Sequence, residues 1–208
     1  MKPLILIGGG GHCKSVIDVA ECLGYNIIGI LDRPTEVGKH VLGYEVIGTD
    51  DEMKRFAKDA DFIVTVGQIK SPELRIRLHK QLAEAGCSLA TLVSPKAHVS
   101  RHATVDEGSV IMHQSVVNAD THIGKGCIIN TFANIEHDVV LGDYCHISTG
   151  AMINGGVHIA NGSFIGSQSV INQGIKINKS IVLASLSVVN RDIDSEGIYA
   201  VSPAKIIL

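Results

Sequence analysis

An aliphatic residue recurs at every sixth position, without interruption, from Val93 to Val189. The series is Val93, Val99, Val105, Ile111, Val117, Ile123, Ile129, Ile135, Leu141, Ile147, Ile153, Ile159, Ile165, Ile171, Ile177, Leu183 and Val189. Self-similarity at a fixed period restricts the fold more than any composition does. An amphipathic helix repeats its apolar face about every 3.6 residues and a half-buried strand every 2. Six is a multiple of the second and not of the first, so each hexad predicts a short strand followed by a corner. Three hexads close one triangular coil, and residues 18 apart in the series stack in neighbouring coils, at a strand spacing of about 4.8 Å. The fourth residue after each aliphatic, from Ala97 to Ile193, is also predicted to point inward. Apart from Ile175, Ile181 and Ile193 these are Ala, Ser, Thr, Cys or Val, which suits a narrow interior. The residue directly after the aliphatic is often Asn or Gly, as at Asn118, Gly124, Asn130, Gly142, Asn154 and Gly166. These types tolerate the unusual backbone angles of corners.

The first ninety residues follow another grammar. Leu4–Ile7 reads as a buried strand, 8–12 as a Gly-rich turn, 13–23 as a helix and 26–31 as a second strand ending at Asp32. A short strand near 45–47, a helix near 50–58, a strand at 62–66, a helix at 72–85 and a strand at 88–93 follow. Strands alternating with helices predict a parallel, Rossmann-like sheet. We therefore divide the chain into an α/β domain over 1–90, a hexad domain over 91–194 and a tail over 195–208. The turn Gly8-Gly9-Gly10-Gly11-His12 stands where a helix N-terminus receives phosphate. The dinucleotide fingerprint G-x-G-x-x-G is incomplete, because position 13 is Cys. Asp32 ends the second strand, where an acid can bind a ribose or base edge. Nucleotide binding other than NAD is the preferred reading. A turn that only packs helix on strand is the bland alternative.

A net charge of −3 gives no basic footprint for nucleic acid. The apolar run at the start is too short for a signal peptide or a membrane span. Five cysteines form no C-x-x-C pair, and Cys127 and Cys145, 18 apart, should stack as core thiols. A reducing cytoplasm fits, and no metal is expected.

His137 lies two after Ile135, so it should face outward, between Glu136 and Asp138. Either acid could orient the imidazole. One coil on stands the pair Gly155-Gly156. A base beside free backbone N–H groups is equipped for acyl transfer: proton removal with oxyanion stabilisation. His146 is nine residues from His137, half a coil around the prism. It could meet a neighbouring subunit's His137 but not its own.

The hexad pattern resembles the hexapeptide-repeat left-handed parallel β-helix, the fold of many acyltransferases, whose members usually pack three subunits side by side. A homotrimer is therefore expected. The run Asn130-Thr131-Phe132-Ala133-Asn134-Ile135-Glu136-His137-Asp138 resembles the motif N-T-x-x-x-I-E-H-[ED]. The run Gly142-Asp143-Tyr144-Cys145-His146-Ile147-Ser148 resembles G-[DE]-x-x-H-[VI]-S. Both belong to the sialic acid O-acetyltransferase-like (PglD-like) family, best understood as nucleotide-sugar N-acetyltransferases of bacterial glycan synthesis. The family's C-terminal G-x-P-A-K reads Ala200-Val201-Ser202-Pro203-Ala204-Lys205 here, without the glycine.

By that resemblance His137 is the general base and Asp138 its partner. His146 contacts the thioester end of acetyl-CoA, the Gly155 N–H polarises its carbonyl, and Gly156 and Gly166 also bind the cofactor. Gly10, Gly11, His12 and Asp32 lie at the nucleotide-sugar site. The implied reaction is acetyl-CoA-dependent N-acetylation of a nucleotide-linked amino sugar, a 4-amino-4,6-dideoxyhexose. Rival readings are O-acetylation of sialic acid, a β-helical zinc carbonic anhydrase drawing on His102, His113, His122 and His158, and a non-catalytic binding module.

Overall fold

The N-terminal sheet grows from β1 (Leu4–Ile7), whose four side chains are all buried. The computed structural model describes residues 2–201, 203, 205 and 206. Helix α1 (Gly11–Cys22) buries Cys13, Val16, Ile17, Val19 and Ala20, a stripe at helical spacing. Strands β2 (Ile27–Leu31), β3 (His40–Val41) and β4 (Tyr44–Gly48) follow. Then come helix α2 (Met53–Phe56), strand β5 (Asp61–Val64), helix α3 (Glu73–Glu84) and strand β6 (Ser88–Leu89). The sheet order is β3-β4-β2-β1-β5-β6. Only β3 runs antiparallel, as a hairpin on β4. The chain moves outward from β1 to β4, then returns to β5 on the other side of β1. Ligands of open α/β sheets bind at that reversal, beyond the carboxyl ends of the strands.

Three local readings change. The hairpin strand β3 has two residues, too few for a period to register. The helix expected near 50–58 is a 3₁₀ turn, Asp50–Glu52, opened by a capping box between Thr49 and Glu52 and continued by α2. The strand expected over 88–93 divides: Ser88–Leu89 closes the sheet, while Leu92–Val93 is the first rung of the second domain.

That domain is a left-handed parallel β-helix. Every member of the six-residue series lies in a strand of two or three residues. From Ile111 onward all are buried, whereas Val93, Val99 and Val105 at the open lower end are partly covered. Rungs pair with a shift of 18 residues, Leu92–Val93 under Val110–Ile111 and these under Ile128–Ile129. Several inner corner positions are polar, and most of these, though not Ser187, find a hydrogen-bond partner among the described residues. Ser109 Oγ donates to Gly124 O at 2.8 Å and Thr121 Oγ1 to Glu136 O at 2.8 Å. The buried Cys127 and Cys145 thiols point at Gly142 O (3.2 Å) and Ala160 O (3.3 Å).

The left-handed backbone falls three residues after the aliphatic, not one. Gly108, Gln114, Asp120, Gly126, Phe132, Asp138 and Tyr144 all have φ between 56° and 72°. The glycines directly after the aliphatic serve a different need. A Cβ on Gly124 would stand 2.7 Å from the Gly142 carbonyl carbon, and one on Gly166 2.4 Å from the Ser185 nitrogen. The next coil passes too close for a side chain.

The α/β domain docks on the face of the β-helix built from 92–93, 110–111, 128–129, 146–147 and 164–165. Leu92, Val110 and Met112 share one apolar cluster with Val16 and Ile17 of α1. From α3, His79 packs edge-on against Tyr144, with ring centroids 5.3 Å apart.

Candidate active site

His137 stands at a corner of the prism, on the turn that follows the rung Asn134–Ile135. Successive side chains of a strand point oppositely, but Asp138 has φ 59° and the chain bends there. The bend brings the two side chains together, with His137 Nδ1 at 2.7 Å from Asp138 Oδ2. Asp138 therefore takes the Nδ1 hydrogen, leaving the Nε2 lone pair free. Glu136 is engaged elsewhere: Asn134 and Asn118 donate to its carboxylate at 3.0 and 2.9 Å. These bonds hold its carboxyl below the usual range. The Asp138 hydrogen bond, aided by the charges of Asp138 and Glu136, raises the pKa of His137 above its ordinary value. The imidazole is 65% exposed.

The ring lies over Gly155. A Cβ added there would come within 2.7 Å of His137 Cε1 and 2.8 Å of Nε2. Among the described residues no acceptor takes the Gly155 N–H, whereas the Gly156 N–H donates to His137 O at 3.0 Å. Of the glycine pair, only Gly155 has an N–H to offer. Gly166 has none: its N–H donates to Leu183 O at 2.8 Å. Its N–H and its Cα are both taken up by packing between coils.

A second feature lies at the switch point of the sheet. A cleft of about 510 Å³ is lined by Gly8–His12, Asp32, Asp50, Thr65–Gly67 and Arg77. Gly10, Gly11, His12 and Asp32 thus share one cavity. Asp32 also shapes it, since Oδ2 accepts the Gly9 N–H at 2.7 Å and Oδ1 the Arg33 N–H at 2.7 Å. Thr65 Oγ1 donates to Gly8 O at 2.5 Å.

Gly11, His12 and Gly67 also line an adjoining cleft of about 680 Å³ between the domains, with Ser15, Gln68, Asn130, Thr131, His146 and Thr149. His146 is buried here rather than exposed at a corner. Its Nδ1–H donates to Gln68 O at 2.7 Å, and Asn130 Nδ2 reaches Nε2 at 3.3 Å. Its ring centroid is 6.4 Å from that of His12. Burial holds the pKa of His146 down at about 4 and that of His12 at about 3, so both are neutral. The structure thus places His146 on the junction face, beside His12 and away from its own His137. Of the other histidines, His113 bonds Ser94 and Asp18, His122 bonds Thr104, His158 bonds Gly156 O and His102 meets Arg101. They form no common cluster.

Arg75 escaped the sequence reading, since an arginine on a helix reads as a solvated charge. It is buried, without a carboxylate partner among the described residues. Its guanidinium donates to Gly126 O and, at 3.1 Å, to Gln68 Oε1. Gln68 Nε2 donates in turn to Gly162 O at 3.1 Å. The loop after β5 is thereby tied to two coils of the β-helix and to His146. A cationic helix residue three before a helical leucine carries no sequence signal of that role.

Residues 3–82 match the family described as PglD N-terminal domain, and residues 120–155 match the bacterial transferase hexapeptide (six repeats). The acetyltransferase domain of PglB from Neisseria gonorrhoeae is 32% identical, over 100% of both chains, with a TM-score of 0.93. The Caulobacter crescentus protein PerB, solved in complex with CoA and GDP-perosamine, is 30% identical. That match covers 100% of this chain and 98% of PerB, with a TM-score of 0.92. An uncharacterized mimivirus protein, L142 of Acanthamoeba polyphaga mimivirus, is 29% identical over 119 residues, which is 57% of this chain and 23% of that protein. The Ser202 and Ala204 positions of the C-terminal motif lie outside the described residues. The paired histidine corner, the switch-point cleft and full-length similarity to solved acetyltransferases agree: the chain belongs to the PglD-like family of hexapeptide-repeat, acetyl-CoA-dependent acetyltransferases.

Proposed function

We propose that the protein transfers the acetyl group of acetyl-CoA to the amine of a nucleotide-linked amino sugar, a 4-amino-4,6-dideoxyhexose, with His137 as general base. The observation that carries this reading is the His137–Asp138 hydrogen bond at 2.7 Å beside Gly155, whose N–H is unclaimed. The amine nitrogen attacks the thioester carbonyl and its proton passes to His137 Nε2. The Gly155 N–H stabilises the oxyanion. Collapse of the tetrahedral adduct breaks the C–S bond and expels the CoA thiolate, which takes up a proton. A positioned base contributes about 10²–10⁴-fold and one oxyanion donor about 10²–10³-fold. Positioning of the two substrates supplies the remainder.

The α/β domain, residues 1–90, holds the nucleotide in the switch-point cleft, through Gly10, Gly11 and Asp32. The sugar runs past His12 into the junction cleft. CoA lies along the β-helix, residues 91–194. His137 faces solvent on a different side of the prism from that cleft, so the base acting on a given sugar comes from a neighbouring copy. A homotrimer completes the site. Its contact draws on the outward face bearing Val116, Met152, Val170 and Val188, of which Met152 is 46% exposed. Five free cysteines fit a cytoplasmic enzyme of surface-glycan synthesis. No helix among the described residues is long and apolar enough to cross a membrane.

The test is CoA release, followed with a thiol reagent, against UDP-, GDP- and dTDP-4-amino sugars and free sialic acid. Release with an amino-sugar nucleotide, lost in His137→Ala while the trimer persists, is the expected result. Release with sialic acid alone, or near wild-type turnover by His137→Ala, overturns it.

A further inference from the structure

Away from the clefts, three side chains of different chemistry meet where α1 crosses the first coils of the β-helix. Asp18 and Cys22 are four apart on α1, so they share one face. His113 comes from the β-helix, 95 residues from Asp18. One ligand atom from each, an Asp18 carboxylate oxygen, the Cys22 sulfur and a ring nitrogen of His113, all lie within 4.8 Å of one another. Asp18 Oδ2 stands 2.6 Å from His113 Nε2. The other ring nitrogen, Nδ1, is 2.5 Å from Ser94 Oγ, which also accepts the Lys96 N–H at 3.0 Å. Ser94 is buried.

We propose that Asp18, Cys22 and His113 form a transition-metal site, most suited to Zn²⁺, that staples the α/β domain to the β-helix. A domain contact needs no thiol at this point, and a hydrogen-bonded Asp–His pair needs none either. Oxygen, nitrogen and sulfur donors together make the mixed set that a borderline cation prefers over Mg²⁺ or Ca²⁺. The ring already has the support that metal-bound histidines require: its far nitrogen is bonded to a fixed partner, which turns Nε2 toward α1. Ligands in a tetrahedral zinc site lie about 2.0–2.3 Å from the metal, so the ion enters by parting the Asp18–His113 bond by less than an ångström. Binding displaces the proton from Cys22 to solvent, and His113 carries its single ring proton on Nδ1, toward Ser94. One dication with one carboxylate and one thiolate is neutral, and water fills the fourth position. The ion takes no part in acetyl transfer.

The probe is Co²⁺, titrated into metal-free full-length protein. One equivalent should give the visible absorption of a tetrahedral site and a thiolate-to-metal charge-transfer band, both erased by added Zn²⁺. Cys22→Ser keeps the Ser94–His113–Asp18 hydrogen bonds, so it separates metal binding from the domain contact. It should abolish the charge-transfer band, and His113→Gln should weaken affinity at least tenfold. Zn²⁺ should raise the melting temperature of the wild type and leave that of Cys22→Ser unmoved. Absence of the band, or a band unchanged in Cys22→Ser, overturns the proposal. The readout does not involve acetyl transfer, so the metal site and the acetyltransferase reading fail or stand separately.

Discussion

Two neighbouring glycines allow the proposed catalytic corner to be separated from the fold. Gly155 does not have a left-handed φ, so alanine fits its backbone. The added methyl meets only the His137 ring, at 2.7 Å from Cε1, 2.8 Å from Nε2 and 3.2 Å from Nδ1. That ring is 65% exposed and yields by swinging outward, which breaks its 2.7 Å bond to Asp138. Stability should change by no more than about 0.5 kcal/mol, as for surface substitutions generally. The base, however, is displaced. Loss of most of a general-base contribution of about 10²–10⁴ predicts a fall in kcat of roughly 10²–10³, or about 3–4 kcal/mol of barrier. Gly156→Ala reverses the pattern. Its Cβ meets nothing nearer than Gly174 at 3.9 Å, but φ is 69°. A left-handed alanine costs about 1–2 kcal/mol, which lowers the melting temperature by roughly 2–8 °C at this chain length. Its kcat should stay within a few-fold. Melting curves and CoA release on both variants settle the matter. Near wild-type turnover in Gly155→Ala, or equal losses in the two, would refute the placement of His137 over Gly155.

Asp138→Asn removes the main cause of the raised His137 pKa. The acidic limb of kcat/KM, which tracks loss of the His137 proton, should move to lower pH, toward 6.5, with a reduced plateau; a limb that stays put would exclude His137 as the titrating base. Burial is the first cause of the lowered pKa of His12, His79 and His146, which fall to about 3, 4 and 4. These groups stay neutral in the fold while the unfolded chain protonates near 6.5, so their contribution is complete above 6.5 and drains away as pH falls toward 4. Each histidine should remove roughly 1.4 kcal/mol per pH unit within that window, measurable as the pH dependence of urea midpoints. Arg75→Met leaves Gln68 Oε1 and Gly126 O without their donor. A loss of roughly 2–5 kcal/mol is expected by urea unfolding, and unchanged stability would mean that the domain junction does not depend on the guanidinium.

The six-residue period located every rung from Val93 to Val189, because a strand-and-corner unit repeats its inward residue whatever surrounds it; it missed Gly197–Ala200, which pairs with Ile181–Leu183 in the stretch read as a tail. The same period misplaced the strained backbone. Asn and Gly after each aliphatic looked like corner residues, but Gly124, Gly142 and Gly166 are small because the next coil touches them. Side chains as ill-suited to φ > 0 as Phe132, Tyr144 and Leu186 sit in the left-handed position, since stacking above and below fixes the corner. Composition therefore gave no clue to it. The Asp138 pairing was likewise legible as a possibility and decided only by that corner. His146 and Arg75 depend on where one domain lies against the other. Nothing along the chain reports that His146 faces Gln68, 78 positions earlier. The Gly-rich turn and Asp32 were readable because a strand, a turn and a helix fix their mutual positions locally.

Most of the inner hydroxyls and thiols reach a carbonyl 15 residues further on, as Ser109 reaches Gly124 and Cys127 reaches Gly142. That spacing gives the β-helix two different units of length. Losing or gaining six residues keeps every aliphatic side chain inward, so the prism can still close. All that follows is then turned by one third of a revolution relative to the domain docked on its side. Only a change of a whole coil returns the histidine corner to its bearing on the docked domain. Natural variation in length among such chains should accordingly be free in steps of six only beyond Phe164–Ile165, the last rung of the docking face, and confined to steps of eighteen between Leu92 and that rung.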